Sequence, residues 1–486
     1  MSKFDQGKNW VVVPPESVGI PSKAVLNFID ELESEELCMH GFIMIKDGKV
    51  FAEGYYAPFH ADFPHRMFSI SKSYTSVAIG LLQEEGKLSI DDKICDYFPD
   101  KLPAVVHPFI AATTIRDMLK MASPHKSTTY KLMDCDDWVK TFFHVEPVRY
   151  PGTSFVYDTS ASHVLAALVE RLSGMPILDY LKVKVFDKLG CTGEFRWLTD
   201  PMGVSMGGSG LICTLRDMTR FALMCMNDGE YNGRQIVPRE YIRDATSKQI
   251  NTPLQYSIDE QQGYGYQFWR CRNNGFAMYG MGGQLAICLP DYNFILTTIA
   301  DNQGIPYGIH GIYTALWNNI LPYLKENNCV TADNASGEEL KDRLSKLEVK
   351  AVKGSKTSPV VNDIKGKSYL LAPNQMGITE CRLDFTNENE GVFYYTNETG
   401  DHEIPFGIGH NKQHIYPDIN LMSISSAAWA DDKMLHLRSY IIDQLPGHVS
   451  MTLTFINNTI TISMKKIAED ALRRYEGFAS GEIKAR

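Results

Sequence analysis

The hydrophobic pattern changes its period part-way along the chain, and this change limits the fold more than any other feature. Up to about residue 325, apolar residues recur at helical spacing, with a few strand-like runs between them. After about residue 360 they alternate with polar residues, as in half-buried strands. Polar residues, Gly and Ser dominate the segment between. We therefore predict a mixed helix and strand domain over 1–325, a linker over 326–359 and a β-rich domain over 360–486.

Within the first part, local patterns predict the elements around the candidate site. Alternation on both sides of Asp47-Gly48 is typical of a hairpin with a two-residue turn. A helical pattern that opens with the serine-rich stretch FSISKS ends at Gly86. The segment 264–300 reads as three strands in meander order, and the second of them spans 275–290.

The charge of the chain narrows the classes of partner. The 486 residues carry a formal net charge of −10 at pH 7. This acidity argues against binding to nucleic acid or to an anionic membrane, and no basic cluster with interleaved aromatic residues is present. No apolar run fits a signal peptide or approaches the ~18 residues that span a bilayer. The ten cysteines lack CxxC pairs and are typical of free thiols in a reducing compartment, so we predict a cytoplasmic protein.

The stretch FSISKS, residues 68–73, places Ser69 and Lys72 three positions apart where a helical pattern begins. On a helix these two side chains share a face, about one turn apart. A serine hydroxyl is a poor nucleophile until a neighbouring base removes its proton. Lysine can be that base if its reference pKa of ~10.4 falls through burial or nearby positive charge. The pair is therefore either a nucleophile with its base or a helix start with capping serines.

The same Ser-x-x-Lys spacing occurs twice more, and the local pattern argues against both copies as catalytic pairs. At Ser123 and Lys126, Pro124 breaks the helix that would bring the lysine over the serine. At Ser463 and Lys466, the alternation of TITISM indicates a strand, on which residues three apart point to opposite faces. Only the pair in FSISKS has a helical pattern running through it.

Two further features have both a structural and a functional interpretation. Tyr157 stands in a turn before a helical pattern that Gly174 closes, where an aromatic residue is either a core anchor or a reactive phenol. The predicted strand 275–290 is interrupted by three glycines, which are Gly280, Gly282 and Gly283. Glycine inside a strand indicates either a bulge with tight packing or the close approach of a ligand. The residues alone leave these alternatives open.

Taken in order, these features resemble the penicillin-recognising serine hydrolases. This family comprises class C β-lactamases, D-alanyl-D-alanine carboxypeptidases and related esterases, aminohexanoate-oligomer hydrolases and acyltransferases. The resemblance covers roughly residues 15–325 and includes HGFIMIKDGKVFAEGYY, GKLSIDDKICDYFP, TIRDMLKMASPH and GGSGLICTLRDMTRFALMCMNDGEYNGRQIVP. It implies an α+β fold, in which an antiparallel sheet is flanked by helices, followed by a C-terminal β-rich barrel or sandwich.

The resemblance implies a role for the residues that match its first two motifs. Ser69 would be the acylated nucleophile, and Lys72 would accept its proton. Tyr157 would share that proton and pass it to the leaving group. The resemblance implies neither a metal nor a cofactor.

The third family motif, which is Lys-Thr-Gly or His-x-Gly on an inner strand, matches residues 278–280. The backbone N–H of Met281 would then join that of Ser69 as the oxyanion hole, and a misalignment by one step would move this role to Gly282 or Gly283. The implied substrate-binding residues are Met278, Tyr279, Gly280, Gly282, Gly283 and Thr159.

Two positions depart from the family pattern. Met278 stands where penicillin-recognising enzymes have a lysine or histidine that holds the substrate carboxylate. Thr159 stands where the second motif usually has an asparagine that helps to place the substrate amide. These departures argue against β-lactams and D-Ala-D-Ala as natural substrates and favour an uncharged or differently shaped acyl compound.

The predicted activity is hydrolysis of a small ester or amide through an acyl-Ser69 intermediate. Acyl transfer to an alcohol or amine would use the same residues and is an open alternative. A non-catalytic penicillin-binding sensor is a second alternative, although the intact Tyr157 counts against it. The expected partner is a small-molecule ester or amide, without nucleic acid or membrane, and assembly into a homo-oligomer stays open.

Overall fold

The computed structural model describes residues 12–326, 333–467, 472 and 474–484. Contacts between residues divide the chain into two units. The first contains the described residues of Met1–Asn302 and Pro306–Leu347, and the second contains Gln303–Ile305 and the described residues of Glu348–Arg486.

The first unit combines helices with an antiparallel sheet. Its helices are α1 (Ser22–Ser34), α2 (Ser71–Glu84), α3 (Pro108–Ala112), α4 (Ile115–Leu119), α5 (Trp138–His144), α6 (Thr159–Ser173), α7 (Ile177–Leu181), α8 (Asp187–Leu189), α9 (Leu215–Met226), α10 (Arg239–Thr246), α11 (Gly308–Asn319), α12 (Leu321–Glu326) and α13 (Asn334–Ser345). Its strands are β1 (Met39–Lys46), β2 (Lys49–Tyr55), β3 (His65–Arg66), β4 (Arg196–Trp197), β5 (Leu211–Cys213), β6 (Glu230–Tyr231), β7 (Arg234–Gln235), β8 (Trp269–Cys271), β9 (Gly275–Gly280), β10 (Gln284–Leu289) and β11 (Phe294–Ala300). The main sheet has the order β2-β1-β11-β10-β9-β8 with antiparallel neighbours throughout. This confirms the predicted α+β class.

The turn between β1 and β2 follows the predicted hairpin. Asp47 and Gly48 both have positive φ, 50° and 73°, as a two-residue turn with the twist of the flanking strands requires. Strand β1 is buried along its whole length, because it lies inside the sheet between β2 and β11.

Helix α2 lies in the core of the first unit. Every residue from Ser71 to Leu82 is buried, and the helix packs against α6. Gly80 permits close packing on another side, since a Cβ atom there would lie 2.4 Å from the ring of Tyr241. The helix ends just before Gly86, whose φ of 69° fits the predicted stop. Polar side chains on this helix therefore need partners inside the protein.

The predicted strand 275–290 is wrong in one respect, because it is a hairpin of two strands. Strand β9 ends at Gly280 and β10 begins at Gln284. Gly282 and Gly283 have φ values of 84° and 104°, a region that favours glycine and reverses the chain between the strands. Both strands are almost continuously apolar, so no change of pattern marks the reversal in the sequence.

The segment 326–359, predicted as a linker, contains helix α13. Its Leu340 is buried, and the helix packs against α1 and β2. A Cβ atom at Gly54 of β2 would lie 2.9 Å from Leu344, so these surfaces are in close contact. Most of the other side chains of α13 are exposed, which explains why the composition looks like that of a linker.

The second unit is a β-barrel that also contains the short helix α14 (Val361–Ile364). Its strands are β12 (Ser368–Leu371), β13 (Glu380–Asn387), β14 (Glu390–Asn397), β15 (Gly400–Ile408), β16 (Lys412–Tyr416), β17 (Leu421–Trp429), β18 (Met434–Ile441), β19 (Gly447–Ile456), β20 (Thr459–Ile467) and β21 (Gly477–Ile483). The described strands follow the order β15-β14-β13-β12-β21-β20-β19-β18-β17-β16. A parallel pairing of Gly407 and Ile408 with Ser426 and Ala427 joins β15 to β17 and closes the ring.

The interior of this barrel is apolar and aromatic. It contains, among others, Phe393, Phe406, Trp429, Leu453 and Ile462. The structure thus confirms the predicted β-rich C-terminal domain and decides between barrel and sandwich in favour of the barrel. In the described part of the chain, no helix is long and apolar enough to cross a bilayer.

Candidate active site

Ser69 lies in a 3₁₀ turn, Phe68–Ile70, that continues directly into helix α2. The lysine three positions later is 1% exposed, and its Nζ donates a hydrogen bond to Ser69 Oγ at 2.9 Å. Phe68 has a φ of 47°, a left-handed conformation that is unfavourable for a bulky residue. Such strain commonly occurs where a functional side chain is held in place. The backbone just before Ser69 is thus fixed in an unusual conformation.

The Lys72 amine has two further hydrogen-bond acceptors. Nζ donates to the carbonyl oxygen of Gly208 at 2.7 Å and to Thr159 Oγ1 at 3.3 Å. A Cβ atom at position 208 would lie 2.4 Å from Thr159 Cγ2 and 3.2 Å from Lys72 Nζ. Glycine is therefore required for this carbonyl to approach the amine so closely.

Tyr157 lies at the turn before α6 and reaches the same serine. Lys72 Nζ lies 4.8 Å from the centre of the tyrosine ring, and the tyrosine hydroxyl interacts with the Ser69 side chain. Part of the Tyr157 side chain is accessible, yet desolvation of the hydroxyl raises the pKa of Tyr157 well above its ordinary value, while the interaction with Ser69 acts in the opposite direction. The phenol therefore keeps its proton at neutral pH.

The acidic residue after this tyrosine explains why α6 begins there. Asp158 is fully buried and caps the helix by accepting a hydrogen bond from the Ser160 N–H. Its other oxygen accepts a hydrogen bond from Ser123 Oγ at 2.7 Å. The cap fixes the chain on the C-terminal side of Tyr157.

The turn between β9 and β10 packs against the segment that carries the nucleophile candidate. A Cβ atom at Gly280 would lie 2.3 Å from the carbonyl oxygen of Met67, so glycine permits the approach of the two backbones. Gln284 stabilises the turn, since its Nε2 donates to the carbonyl oxygens of Met281 and Ala300 at 2.6 and 2.9 Å. Met281 is 37% exposed. The glycines thus serve both a tight turn and a close contact.

Met278 and Tyr279 point to opposite sides of β9. Met278 is fully buried and belongs to the main core, so its side chain is not available to a substrate, contrary to the expectation from the motif. Tyr279 packs edge-on against Trp269, with ring centres 6.0 Å apart. Of the two, Tyr279 is the residue on the side of the candidate site.

An aromatic wall stands beside Tyr157. Trp269 stacks on Tyr157 with ring centres 5.8 Å apart and planes at 17°. The wall consists of Met121, Ile250, Phe155, Tyr157, Tyr264, Trp269 and Tyr279. This environment orients the tyrosine and offers an apolar surface next to its hydroxyl.

Comparison with known proteins identifies the family. A model of the beta-lactamase family matches residues 40–310, more than half of the chain. The chain belongs to the beta-lactamase family. This is a family of serine hydrolases, and the barrel of this member lies outside the matched residues.

Individual relatives of this beta-lactamase-family protein are distant. A 6-aminohexanoate-dimer hydrolase of Paenarthrobacter ureafaciens is 24% identical over 263 residues, which are 50% of this chain and 67% of that protein. A solved structure from Bacillus anthracis, named for 6-aminohexanoate-dimer hydrolysis, has a TM-score of 0.55 and 18% identity and covers 66% of this chain and 89% of its own. A solved structure from Bacteroides dorei, named as a beta-lactamase, has a TM-score of 0.52 and 17% identity and covers 62% and 98%. At these identities the two structures show the fold alone.

The other two serine–lysine pairs do not have the geometry of Ser69 and Lys72. Ser123 is buried and donates a hydrogen bond to Asp158, whereas Lys126 is exposed. Ser463 and Lys466 lie on strand β20, where they face Thr452 and Val449 of β19. Three positions along a strand place them on opposite faces.

Several groups at this beta-lactamase-family site were not predicted. Gly208, Trp269 and Gln284 lie far apart in the sequence and carry no motif that connects them to Ser69. The run GGSG at 207–210 was a usable signal for Gly208, since such runs permit close approach of a backbone. Within the described ranges, no group of three or more His, Cys, Asp or Glu side chains could hold a metal ion.

Proposed function

We propose that this chain hydrolyses a small ester or amide through an acyl intermediate on Ser69. The observation that carries the proposal is that the Ser69 hydroxyl accepts a hydrogen bond from a buried lysine amine at 2.9 Å, while the ring centre of Tyr157 lies 4.8 Å from the same amine. A nucleophile and a base within hydrogen-bond reach, with further groups that orient the base, are the requirements of nucleophilic catalysis.

The acceptors around Lys72 support its role as the base. A neutral lysine amine has two N–H groups and one lone pair. The carbonyl oxygen of Gly208 and Thr159 Oγ1 can take the two hydrogens. In this neutral form the 2.9 Å contact with Ser69 Oγ reverses its direction, and the lone pair of Nζ accepts the serine proton. The proton of Ser69 then moves to Nζ as Oγ bonds to the substrate carbonyl carbon.

The backbone N–H groups of Ser69 and Met281 are our candidates for the oxyanion hole. The close approach of Gly280 to Met67 supports this assignment, because it brings the β9–β10 turn to the serine. Two such donors act where negative charge develops, and removal of one typically costs about 3–4 kcal/mol of transition-state stabilisation.

Collapse of the tetrahedral intermediate requires a proton on the leaving group. Tyr157, whose raised pKa keeps its hydroxyl protonated, donates that proton and regains one from the Lys72 ammonium. The C–O or C–N bond breaks, the alcohol or amine leaves, and water attacks the acyl-enzyme by the reverse sequence of proton transfers. The name of the Paenarthrobacter relative, a dimer hydrolase, supports a small substrate of this kind.

Covalent labelling tests the proposal. The wild-type protein is treated with a fluorophosphonate, and the adduct is mapped by peptide mass spectrometry beside Ser69→Ala and Ser463→Ala. We expect one adduct, on Ser69, in the wild type and in Ser463→Ala, and none in Ser69→Ala. An adduct on Ser123 or Ser463 in the wild type would contradict the assignment.

Product analysis separates hydrolysis from the two alternatives. Turnover of a 4-nitrophenyl ester is followed with and without an added alcohol. The free acid is the expected product in both cases. A new ester formed with the alcohol would favour acyl transfer, and a stable acyl adduct without turnover would favour a sensor.

A further inference from the structure

The first unit contains a cleft that shares no residue with the candidate catalytic group. Its volume is about 670 Å³, within the range of about 300–1,000 Å³ that small-molecule sites occupy. The last turn of α9, the end of α10 with the residues that follow it, and strands β8 and β9 contribute to its walls. Ser69, Lys72, Tyr157 and Met281 do not line it. The cleft therefore has room for a small molecule that is not the substrate of Ser69.

The lining of this cleft is basic, although the chain as a whole is acidic. Arg243, Lys248 and Arg270 contribute three positive charges and Asp228 contributes one negative charge, a net charge of +2 in a chain whose net charge is −10. Asp228 is already engaged, because it accepts two hydrogen bonds from the Arg243 guanidinium, at 3.0 and 2.8 Å. The surplus of positive charge therefore comes from Lys248 and Arg270.

Arg270 is held in one orientation in the cleft. Its backbone on β8 pairs with that of Phe276 on β9, so the two side chains project from the same face of the sheet. Its Nη1 donates a hydrogen bond to the carbonyl oxygen of Thr246 at 2.8 Å, and its Nη2 donates one to Asn274 Oδ1 at 2.8 Å. Both acceptors are neutral, so they fix the guanidinium without compensating its charge.

The carboxylate of Asp291 is separated from this guanidinium by an amide. Asn274 Nδ2 donates to both oxygens of Asp291, at 3.3 and 3.2 Å. Among the described residues, no Asp or Glu forms an ion pair with Arg270 or Lys248. Burial lowers the pKa of Arg270, while Asp291 acts in the opposite direction. Because arginine stays charged in proteins, an anion bound here would compensate a charge that the fold leaves without an ionic partner.

The rest of the lining is suited to an organic group. Cys225, Met226, Cys271 and Phe276 present apolar surface to the cleft. Small-molecule sites typically combine such surface with a small number of fixed polar groups that orient the ligand. A free inorganic anion would engage only the basic side chains, so the composition of the cleft favours an anion that carries an organic part.

We propose that this cleft binds a phosphate monoester, with the phosphate at Arg270 and Lys248 and the organic part against Met226 and Phe276. A phosphate monoester carries a charge of about −1.5 to −2 at pH 7 and matches two cations, whereas a carboxylate matches one. The planar guanidinium also presents paired donors that fit two phosphate oxygens. The site goes beyond the proposed function and does not depend on it.

Calorimetric titration of the full chain tests the site. The probes are phenyl phosphate, inorganic phosphate and benzoate, at pH 7.5 and low ionic strength. The wild type is expected to bind phenyl phosphate about tenfold more tightly than either of the other two anions, because only this probe offers both the doubly charged group and the ring.

Two charge-removing variants and one control locate the site. Arg270→Gln is expected to raise the Kd for phenyl phosphate by about tenfold, and Lys248→Gln by about threefold, since Lys248 is exposed. Lys188→Gln on α8 removes an equally exposed charge that does not line the cleft. It is expected to leave the Kd within about twofold of the wild type, because distant surface charges are screened.

Four results would overturn the proposal. The first is a wild type that does not bind phenyl phosphate, and the second is an unchanged Kd in both Arg270→Gln and Lys248→Gln. Benzoate bound as tightly as phenyl phosphate would reject the phosphate group, and inorganic phosphate bound as tightly would reject the organic part. Thermal unfolding verifies that Arg270→Gln is folded. If it is not, Lys248→Gln decides alone, and a wild-type Kd in that variant rejects the site.

Discussion

Ser69–Lys72 and Ser463–Lys466 are two copies of one sequence pattern in two different regions of the molecule. At the first, the helix brings Nζ to 2.9 Å from Oγ, and the lysine is buried. At the second, a strand of the barrel separates the two side chains, and both are partly exposed. The comparison teaches that this motif has chemical meaning only through the element on which it lies.

The nucleophile gives the sharpest test of this comparison. Ser69→Ala is expected to lower kcat/KM for a 4-nitrophenyl ester by at least about 10⁴-fold, because no other hydroxyl replaces the attacking group. Ser463→Ala is expected to stay within about twofold of the wild type. Steady-state kinetics on both variants provides the measurement, with circular dichroism to verify folding. Equal activities of Ser69→Ala and Ser463→Ala would contradict the assignment of Ser69 as the nucleophile.

The two lysines extend the comparison to the base. Lys72→Met removes the proton acceptor and is expected to lower kcat/KM by about 10³-fold, within the range of general base catalysis. Lys466→Met, on the barrel, is expected to leave it within about twofold. Single-turnover acylation rates are the suitable readout, and a Lys72→Met protein that acylates at the wild-type rate would refute the role of this lysine.

Tyr157 is the third side chain at the Ser69–Lys72 pair. Tyr157→Phe keeps the ring against Trp269 but removes the hydroxyl that interacts with Ser69, so kcat is expected to fall by about 10²-fold. Tyr264→Phe, in the same aromatic wall, serves as the control and is expected to change kcat by less than threefold. Similar losses in both variants would indicate a packing role for Tyr157.

Gly208 tests whether the precise surroundings of the helical lysine matter. Gly208→Ala forces a Cβ atom to within 2.4 Å of Thr159 and 3.2 Å of Lys72, and we expect a loss of about tenfold in kcat from the displaced amine. Gly337→Ala is the matched control, because a Cβ atom there is 3.9 Å from its nearest neighbour and alanine favours the helix by up to about 1 kcal/mol. Unchanged kcat in Gly208→Ala would show that the approach of the carbonyl is not needed.

The smallest expected effect concerns the free energy of unfolding and arises from the burial of helix α2, which distinguishes it from strand β20. Burial raises the pKa of Tyr241, whose hydroxyl bonds Ser76 of α2. The folded state therefore holds this proton more tightly than the unfolded state, and the resulting stability is fully present below pH ~10 and is lost as the pH rises above it. At pH 11 the contribution lost is about 1.4 kcal/mol per tyrosine. Denaturant unfolding between pH 9 and 11 should show a shallower decline for Tyr241→Phe than for the wild type.

Local patterns predicted much of the fold. The turn at Asp47-Gly48 and the helical stops at Gly86 and Gly174 follow from properties of single residues, so the sequence was sufficient for them. The β9–β10 hairpin was missed because its glycines were interpreted as interruptions of one strand. The barrel closure between β15 and β17 was beyond prediction, since a parallel pairing of distant strands has no local pattern.

The candidate site divides in the same way. Ser69 and Lys72 are close in sequence, and helical periodicity alone places them together. Tyr157 was assigned to the same site because the motifs follow one another in the order of the family. The structure brings the three side chains together, and their catalytic roles stay predictions. Gly208 contacts Lys72 across a long separation in the sequence, through its carbonyl oxygen. No spacing within a single sequence reveals such a contact.

The Gly208 carbonyl has a consequence for protein engineering. Because the acceptor on Lys72 is a main-chain oxygen, no substitution at position 208 deletes it, and mutagenesis there can only vary how far the two atoms are pushed apart. A saturation library at this codon would therefore be expected to yield a graded series of rates ordered by side-chain volume, whereas a library at codon 69 would sort clones into active and inactive.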